Sequence, residues 1–437
     1  MNLLLIGHAC SPYAGSEPGL TWNWAWHLSA EHSVWLIAHP HFREPCERYL
    51  AEHPNPRLHL HWAELPRAID PWRPERGERW LRLHYMLWLR AAHRLAATLV
   101  ERHDIDLAHH VSLGTVGAPP PFWRLPVPFF WGPLGGGQTA PAAFRSYFGS
   151  AWKAERLRAL RLAALAYSPG LRRCARAAAC SFATNEETAA ILRRAGAREI
   201  RMLADNGIVP STLEQDAPSR PAAGERAADA PLRLLWAGRL ERRKGLPLLI
   251  ETLARLGPLP VHVTVAGDGP ELEPCKAMAA RLGLGGRITF LGRLQPQDMA
   301  ARFAEADAFV FTSLRDSLGS VTLEAMSRGV PLITLDHQGQ RALIPAEVAL
   351  KVPASDPATA IDGFAAAIRR LAAAPEECER LSRAGRAFAA TLRWDRHARD
   401  MSRLYRQILA TPEGRPALRG KAVADRAVHD LDHRTAP

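Results

Sequence analysis

Short apolar runs alternate with longer amphipathic stretches along most of this chain. Leu3-Leu4-Leu5-Ile6, closed by Gly7, predicts a buried strand over residues 2–7. A loop from His8 to Gly19 follows, then a helix through Trp22, Trp26 and Leu28, then a second apolar run from Val34 to Ile37. Strand, loop, helix and strand in that order open a doubly wound α/β domain. Further strands are predicted over 105–110, 127–131 and 178–183, and a helix starts at Asn185 with Glu186 and Glu187 in its first turn. From residue 232 the alternation becomes regular. Strands are predicted at 232–237, 261–266, 288–291, 308–312 and 330–334, with helices 246–256, 271–282, 297–304 and 321–327 between them. Such spacing predicts a parallel sheet covered on both faces. Helices over 358–373, 375–389 and 394–409 complete the pattern.

A chain of 437 residues exceeds what one compact core usually organises. Residues 210–231 lack periodicity and are rich in Pro, Ala and charge, so they divide the chain. The expected plan is an N-terminal Rossmann-like domain (1–209), a linker (210–231), a C-terminal Rossmann-like domain (232–390), a last helix packing back on the N-terminal domain (391–410) and a disordered tail (411–437). Ligands of open α/β sheets bind beyond the carboxyl ends of the strands, so a cleft between the domains is the expected site.

The net charge of +12 favours anionic partners, and solvated basic faces account for it equally well. No nucleic-acid-binding motif is present. No apolar run approaches the roughly 20 residues a membrane span needs, and Leu3 to Ile6 is too short for the core of a signal peptide. The six cysteines form no Cys-x-x-Cys pair, which fits free thiols and a cytoplasmic location. Two segments, 72–102 and 153–176, set arginines beside apolar residues. They suit either packing on their own domain or peripheral contact with an anionic membrane.

The chemistry concentrates in loops after predicted strands. Asp316 and Glu324 stand seven residues apart, one in a loop and one a turn into the next helix. Between them Leu318, Gly319, Ser320 and Val321 supply the free amides of a helix start, which suit a diphosphate. Glu324 could accept hydrogen bonds from adjacent ribose hydroxyls, or it could simply complement the helix dipole. Arg239 and Lys244 sit in a strand-to-helix loop, Gly238 to Gly245, where two cations could meet departing negative charge. Gly267-Asp268-Gly269-Pro270-Glu271 is a strand-to-helix turn. A dehydrogenase fingerprint fails there, because Leu272 takes the place of the third glycine. Gly15 lies in a glycine-bounded loop, and Gly135-Gly136-Gly137 follows a strand. His109 and His110 end a strand, and alternation lets only one of them face a cleft. His110 is preferred, with a buried structural histidine as the equal alternative.

The stretch 313–333 closely resembles the signature of glycosyltransferase family 4, a retaining group of GT-B architecture. That signature reads Glu-x7-Glu, then Ala-Met-Ala, then Gly-x-Pro. Here it reads Asp316-x7-Glu324, Ala325-Met326-Ser327 and Gly329-Val330-Pro331, with Asp for the first Glu. The Arg239–Lys244 loop, the Gly267 turn, Phe290 to Leu294 and the Gly15 loop are similar to further family segments. The resemblance spans roughly residues 2 to 409 and is strongest from 236 to 333.

The resemblance implies an α/β fold of two Rossmann-like domains facing a central cleft. It implies transfer of a sugar from a nucleotide-diphosphate sugar to an acceptor hydroxyl, with retention of anomeric configuration, in polysaccharide or glycolipid synthesis. Donor contacts would come from Gly15, Arg239, Lys244, Gly267, Leu294, Asp316, Leu318, Gly319, Ser320, Val321 and Glu324. His110, Arg239, Lys244 and Asp316 would carry the catalysis, without cofactor or metal. The acceptor would be a sugar or a lipid-linked sugar. A nucleotide-sugar 2-epimerase and a non-catalytic nucleotide-sugar-binding subunit share the architecture and stay open as alternatives.

Overall fold

A computed structural model describes residues 1–72, 77, 80–209 and 230–411. The chain forms two parallel sheets, each flanked by helices. The first holds β1 (Asn2–Gly7), β2 (Ser33–Ala38), β3 (Leu58–Trp62), β4 (Leu107–Ser112), β5 (Phe129–Leu134), β6 (Cys180–Ala183) and β7 (Ile200–Met202), in the order β3-β2-β1-β4-β5-β6-β7. The second holds β8 (Leu232–Ala237), β9 (Val261–Ala266), β10 (Ile288–Gly292), β11 (Ala308–Phe311), β12 (Leu332–Asp336) and β13 (Ala349–Pro353), in the order β10-β9-β8-β11-β12-β13.

Strand alternation explains why β1 is apolar throughout. Leu4 and Ile6 join a core with Tyr85 and Trp88 of the helix Leu81–Arg102, whereas Leu3 and Leu5 join a core with Trp24 on the opposite face. A strand covered on both sides has no position to spare for polar residues. The strands absent from the predicted set, β3, β7 and β13, are all sheet edges. β3 reads Leu-His-Leu-His-Trp and is largely half-exposed, so it lacks the continuous apolar signal of an inner strand. β4, β5 and β12 extend about two residues past their predicted ends, because ladder pairing continues where the apolar run stops.

The helix Trp394–Ala410 lies on the N-terminal domain, where Trp394, Met401 and Tyr405 are buried beside Trp24. Tyr405 Oη meets His109 Nδ1 at 2.5 Å. A reverse exchange occurs at 140–152. This stretch precedes the linker, yet Phe144 and Phe148 are buried in the core of the C-terminal domain. The packing boundary therefore differs from a cut at residue 209. Arg315 pairs with Glu155 at 3.2 Å, and Gln338 Nε2 donates to the Thr139 carbonyl at 2.8 Å, both across the interface. The predicted linker falls outside the described residues except for 230 and 231, and the predicted tail except for 411.

Candidate active site in the cleft

Each sheet has one place where the chain runs off in opposite directions from neighbouring strands. In the first sheet this lies between β1 and β4, and in the second between β8 and β11. The loops leaving such strands splay apart and open a crevice. The loops after β8 and β11 hold the Arg239–Lys244 and Asp316–Glu324 segments. One main-chain and one side-chain hydrogen bond lock them together: Leu314 N donates to Arg243 O at 2.7 Å, and Thr312 Oγ1 donates to Lys244 O at 2.9 Å.

Lys244 and Asp316, 72 positions apart in sequence, form an ion pair. Arg243 Nη1 lies 3.8 Å from the same carboxylate, and Ser313 Oγ donates to it at 3.2 Å. Burial by itself would raise the Asp316 carboxyl, but Lys244 and Arg243 outweigh it and hold the group below the ordinary carboxylate range. Both predicted residues are thus brought together, facing one another. The lysine also sits over the Phe311 ring, 5.5 Å from its centroid. Neither side chain lines the two large cavities described next.

A cavity of about 640 Å³ lies against the C-terminal domain, lined by Arg239, Gly267, Leu294, Val321 and Glu324 among others. It runs into a groove of about 730 Å³ between the domains through the shared residues Leu294, Met299 and Glu324. Gly15, Tyr13 and Asn23 form the N-terminal wall of that groove, and Ser320 and Glu324 belong to the opposite wall. Arg239 is two-thirds exposed and pairs only at the surface with Glu241, at 3.0 Å. Gly267 has a positive φ of 139°, and a Cβ there would stand 1.9 Å from the Gly238 carbonyl oxygen. Only glycine lets these two loops touch. Gly319 caps the helix Ser320–Ser327 with φ 78°. Leu318 buries its side chain in the core, so only its main chain could reach a ligand. Glu324 is solvent-accessible but crowded by the surrounding protein, which raises its carboxyl, with Arg328 opposing.

Two acidic residues escaped the sequence reading. Glu17, in the Gly15 loop's helix, accepts the Gly114 amide at 3.3 Å through one oxygen, and its other oxygen has no partner among the described residues. Burial pushes its carboxyl up to about 7, the Gly114 amide opposes this, and Asp205 adds to the rise. Asp205 accepts the Ser317 hydroxyl at 2.5 Å, directly across the interface from Asp316. Burial raises Asp205 too, Ser317 pulls it back and Asp316 adds to it. Glu17 lies in the same glycine-bounded stretch as Gly15, but no spacing rule reveals that it is buried without a cation. The glycine run serves packing: a Cβ at Gly137 would lie 2.7 Å from Thr188, and one at Gly136 would lie 2.9 Å from Thr115.

His110 does not face the cleft, contrary to expectation. Alternation does send the two histidines to opposite faces, but helices cover both faces. His110 is 1% exposed, with Nε2 2.9 Å from the Tyr85 hydroxyl. His109 meets Tyr405 and the Gly132 carbonyl. Burial lowers both imidazoles to about 3; for His110 the neighbouring His109 adds to the effect, and for His109 the Gly132 carbonyl opposes it. Both rings are neutral and closed off from a substrate.

Comparison with known proteins adds three findings. Residues 223–388 match the family model for glycosyl transferases group 1. The lipopolysaccharide core biosynthesis glycosyltransferase LpsE of Rhizobium meliloti is 35% identical over 147 residues, which are 33% of this chain and 41% of that protein. Glycogen synthase of Mycobacterium tuberculosis is 31% identical over 210 residues, 47% of this chain and 48% of that one. The chain therefore matches less than half the length of these relatives. Among solved structures, sucrose-phosphate synthase of Thermosynechococcus elongatus superimposes with a TM-score of 0.61 at 20% identity, covering 94% of this chain and 99% of that one. The lipopolysaccharide outer core galactosyltransferase WaaB superimposes with 0.62 at 15% identity, covering 93% and 99%. Anabaena HepE, solved with UDP and glucose, gives 0.57 at 16%, covering 93% and 100%. The two-domain GT-B fold is shared over more than nine-tenths of the chain.

Proposed function

We propose that this chain, whose residues 223–388 match the family model for group 1 glycosyl transferases and whose two sheets take the GT-B fold, moves a sugar from a nucleotide-diphosphate sugar to an acceptor hydroxyl. The observation that carries the reading is the continuous groove. One wall offers Arg239, the Gly267 turn and Glu324, and the other offers the Gly15 loop. A nucleoside would lie in the C-terminal cavity with Glu324 against its ribose, leaving the diphosphate toward the Gly238 loop and the start of the helix Ser320–Ser327. Negative charge grows on the leaving oxygen in the transition state, so Arg239 and the helix amides act most strongly there. Lys244 would reach that charge by exchanging Asp316 for a phosphate, a step for which domain closure supplies the contacts. Retention of configuration follows from the family 4 signature around Asp316 and Glu324. The acceptor is read as a sugar of a cell-surface polysaccharide or glycolipid, in keeping with relatives named for lipopolysaccharide core synthesis.

Purified protein screened by thermal melting against a panel of nucleotide sugars tests this, because a bound donor stabilises the fold by mass action. One nucleotide sugar is expected to raise the melting temperature and to be slowly hydrolysed. Arg239→Ala is the informative variant. Its exposed guanidinium contributes little to stability, so the ligand-free melt should stay put while the ligand-induced shift shrinks. A full shift in Arg239→Ala, or no shift with any nucleotide sugar, would sink the proposal. Interconversion of the donor without any acceptor would point to an epimerase.

A further inference from the structure

The N-terminal domain holds a polar cluster that sugar transfer does not use. His8 follows β1, His39 follows β2 and His84 lies in the first turn of the helix Leu81–Arg102. They are 3%, 8% and 0% exposed. One ring nitrogen of each lies within 4.8 Å of the others. His8 Nε2 and His84 Nε2 stand 2.9 Å apart. On its far side, His84 Nδ1 meets Asp70 Oδ1 at 2.7 Å. A carboxylate can only accept, so His84 Nδ1 carries a proton, which leaves Nε2 as the nitrogen that faces inward, toward the other two rings.

We propose that His8, His39 and His84 form a binding site for a divalent first-row transition cation, zinc above all, with Asp70 positioning the His84 ring. Three imidazoles suit zinc, copper or nickel and are poor ligands for magnesium or calcium. In a tetrahedral zinc site with bonds of about 2.0–2.1 Å, the ligating nitrogens stand roughly 3.3 Å apart. The His8 and His84 nitrogens stand slightly closer than that, and no separation among the three exceeds 4.8 Å. Asp70 supplies the carboxylate–histidine contact that fixes tautomer and ring orientation in such sites. Trp72 packs on all three rings, and Trp88 stands 4.9 Å from His8, so the ligands sit in an aromatic shell. The amide of His41 donates to His39 Nδ1 at 3.2 Å, a long contact that a bound ion would displace or leave to the other nitrogen.

The site would tie the carboxyl ends of β1 and β2 to the helix Leu81–Arg102. The chain leaving His8 runs directly into residues 12–15 of the groove wall. An ion there would brace the loop of residues 12–15 from behind, outside the groove. His8 and His84 are 76 positions apart, so no motif spacing could have announced them. The inference stands apart from the sugar-transfer reading.

Metal content and binding test it on the full chain, freed of any histidine tag. Chelator-treated protein titrated with Zn²⁺ alone should take up one equivalent and melt at a higher temperature. Co²⁺ should give the intense visible absorption of a four-coordinate nitrogen site, without the charge-transfer bands of thiolate. His39→Gln should weaken Zn²⁺ binding at least tenfold while far-ultraviolet dichroism is unchanged. Asp70→Asn should weaken it about 10- to 100-fold. Failure of the wild-type protein to bind stoichiometric Zn²⁺ overturns the assignment, whatever the variants do. So does thiolate absorption from Co²⁺, or unchanged affinity in folded His39→Gln.

Discussion

Glu17 is a carboxyl taken out of water with no ion pair among the described residues. Its folded value of about 7 lies above the ordinary 4.5. A raised acid holds its proton more tightly when folded, so its favourable share of stability is complete below about 4.5 and fades as pH rises toward 7. Above that, burying the anion costs on the order of 3 kcal/mol. Glu17→Gln should therefore gain stability over the wild type at pH 8 and gain none at pH 4.5. Urea unfolding at the two pH values measures this; an equal difference at both would show that Glu17 does not titrate as its setting implies. Asp316 has the opposite sign. Its depressed carboxyl contributes above the ordinary carboxylate range and loses that contribution as pH falls. The two residues were equally visible in the sequence, one in a family signature and one in a glycine loop. Their charge states were not, because these depend on how deeply the fold buries each carboxyl and on what remote segments place beside it, Lys244 for Asp316 and the Gly114 amide and Asp205 for Glu17.

Inner strands and the helices after them were legible because burial on two faces, or on one stripe, writes itself into the residue pattern. Edge strands β3, β7 and β13 were not, since half-exposed positions tolerate His, Arg and Lys. The basic amphipathic segments divide in the same way. Tyr85, Trp88 and Leu89 of the helix Leu81–Arg102 are buried, while Leu83 and Met86 are 47% and 43% exposed. The helix Trp152–Leu165 has no fully buried residue, and Leu160 is 66% exposed beside Arg156 and Arg161. No described helix is long and apolar enough to cross a membrane. Exposed leucines among arginines suit an anionic bilayer surface. The protein is expected to float with vesicles containing anionic lipid, less so in high salt, and Leu157→Asp with Leu160→Asp should abolish flotation. Recovery of all protein in the unbound fraction would remove the membrane from this picture.

For the molecule as a whole, the last helix crosses back to the first domain. Trp394 stacks edge-on against Trp24 with ring centroids 5.3 Å apart, and it also forms part of the groove. Trp394→Ala should cost about 3–5 kcal/mol, the usual loss for a large buried aromatic. Because Trp394 N donates to the Ile208 carbonyl at 3.0 Å and Ile208 N donates to the Leu392 carbonyl at 2.9 Å, the loss should reach both domains in one unfolding transition. Two separated calorimetric transitions in the wild type would mean that the helix does not couple the domains. The same chain crossing moves Phe144 and Phe148 into the second domain's core. By itself, the sequence determined two doubly wound sheets, the loops that bear the chemistry and the resemblance to a sugar-transferring family. These are local or periodic properties, set by which residues can be buried and which backbones can turn. The tertiary structure alone decided that Asp316 holds Lys244, that both His109 and His110 are sealed, and that His8, His39 and His84 converge. Each depends on what a second, remote segment places opposite the first, and a one-dimensional pattern carries no such distances.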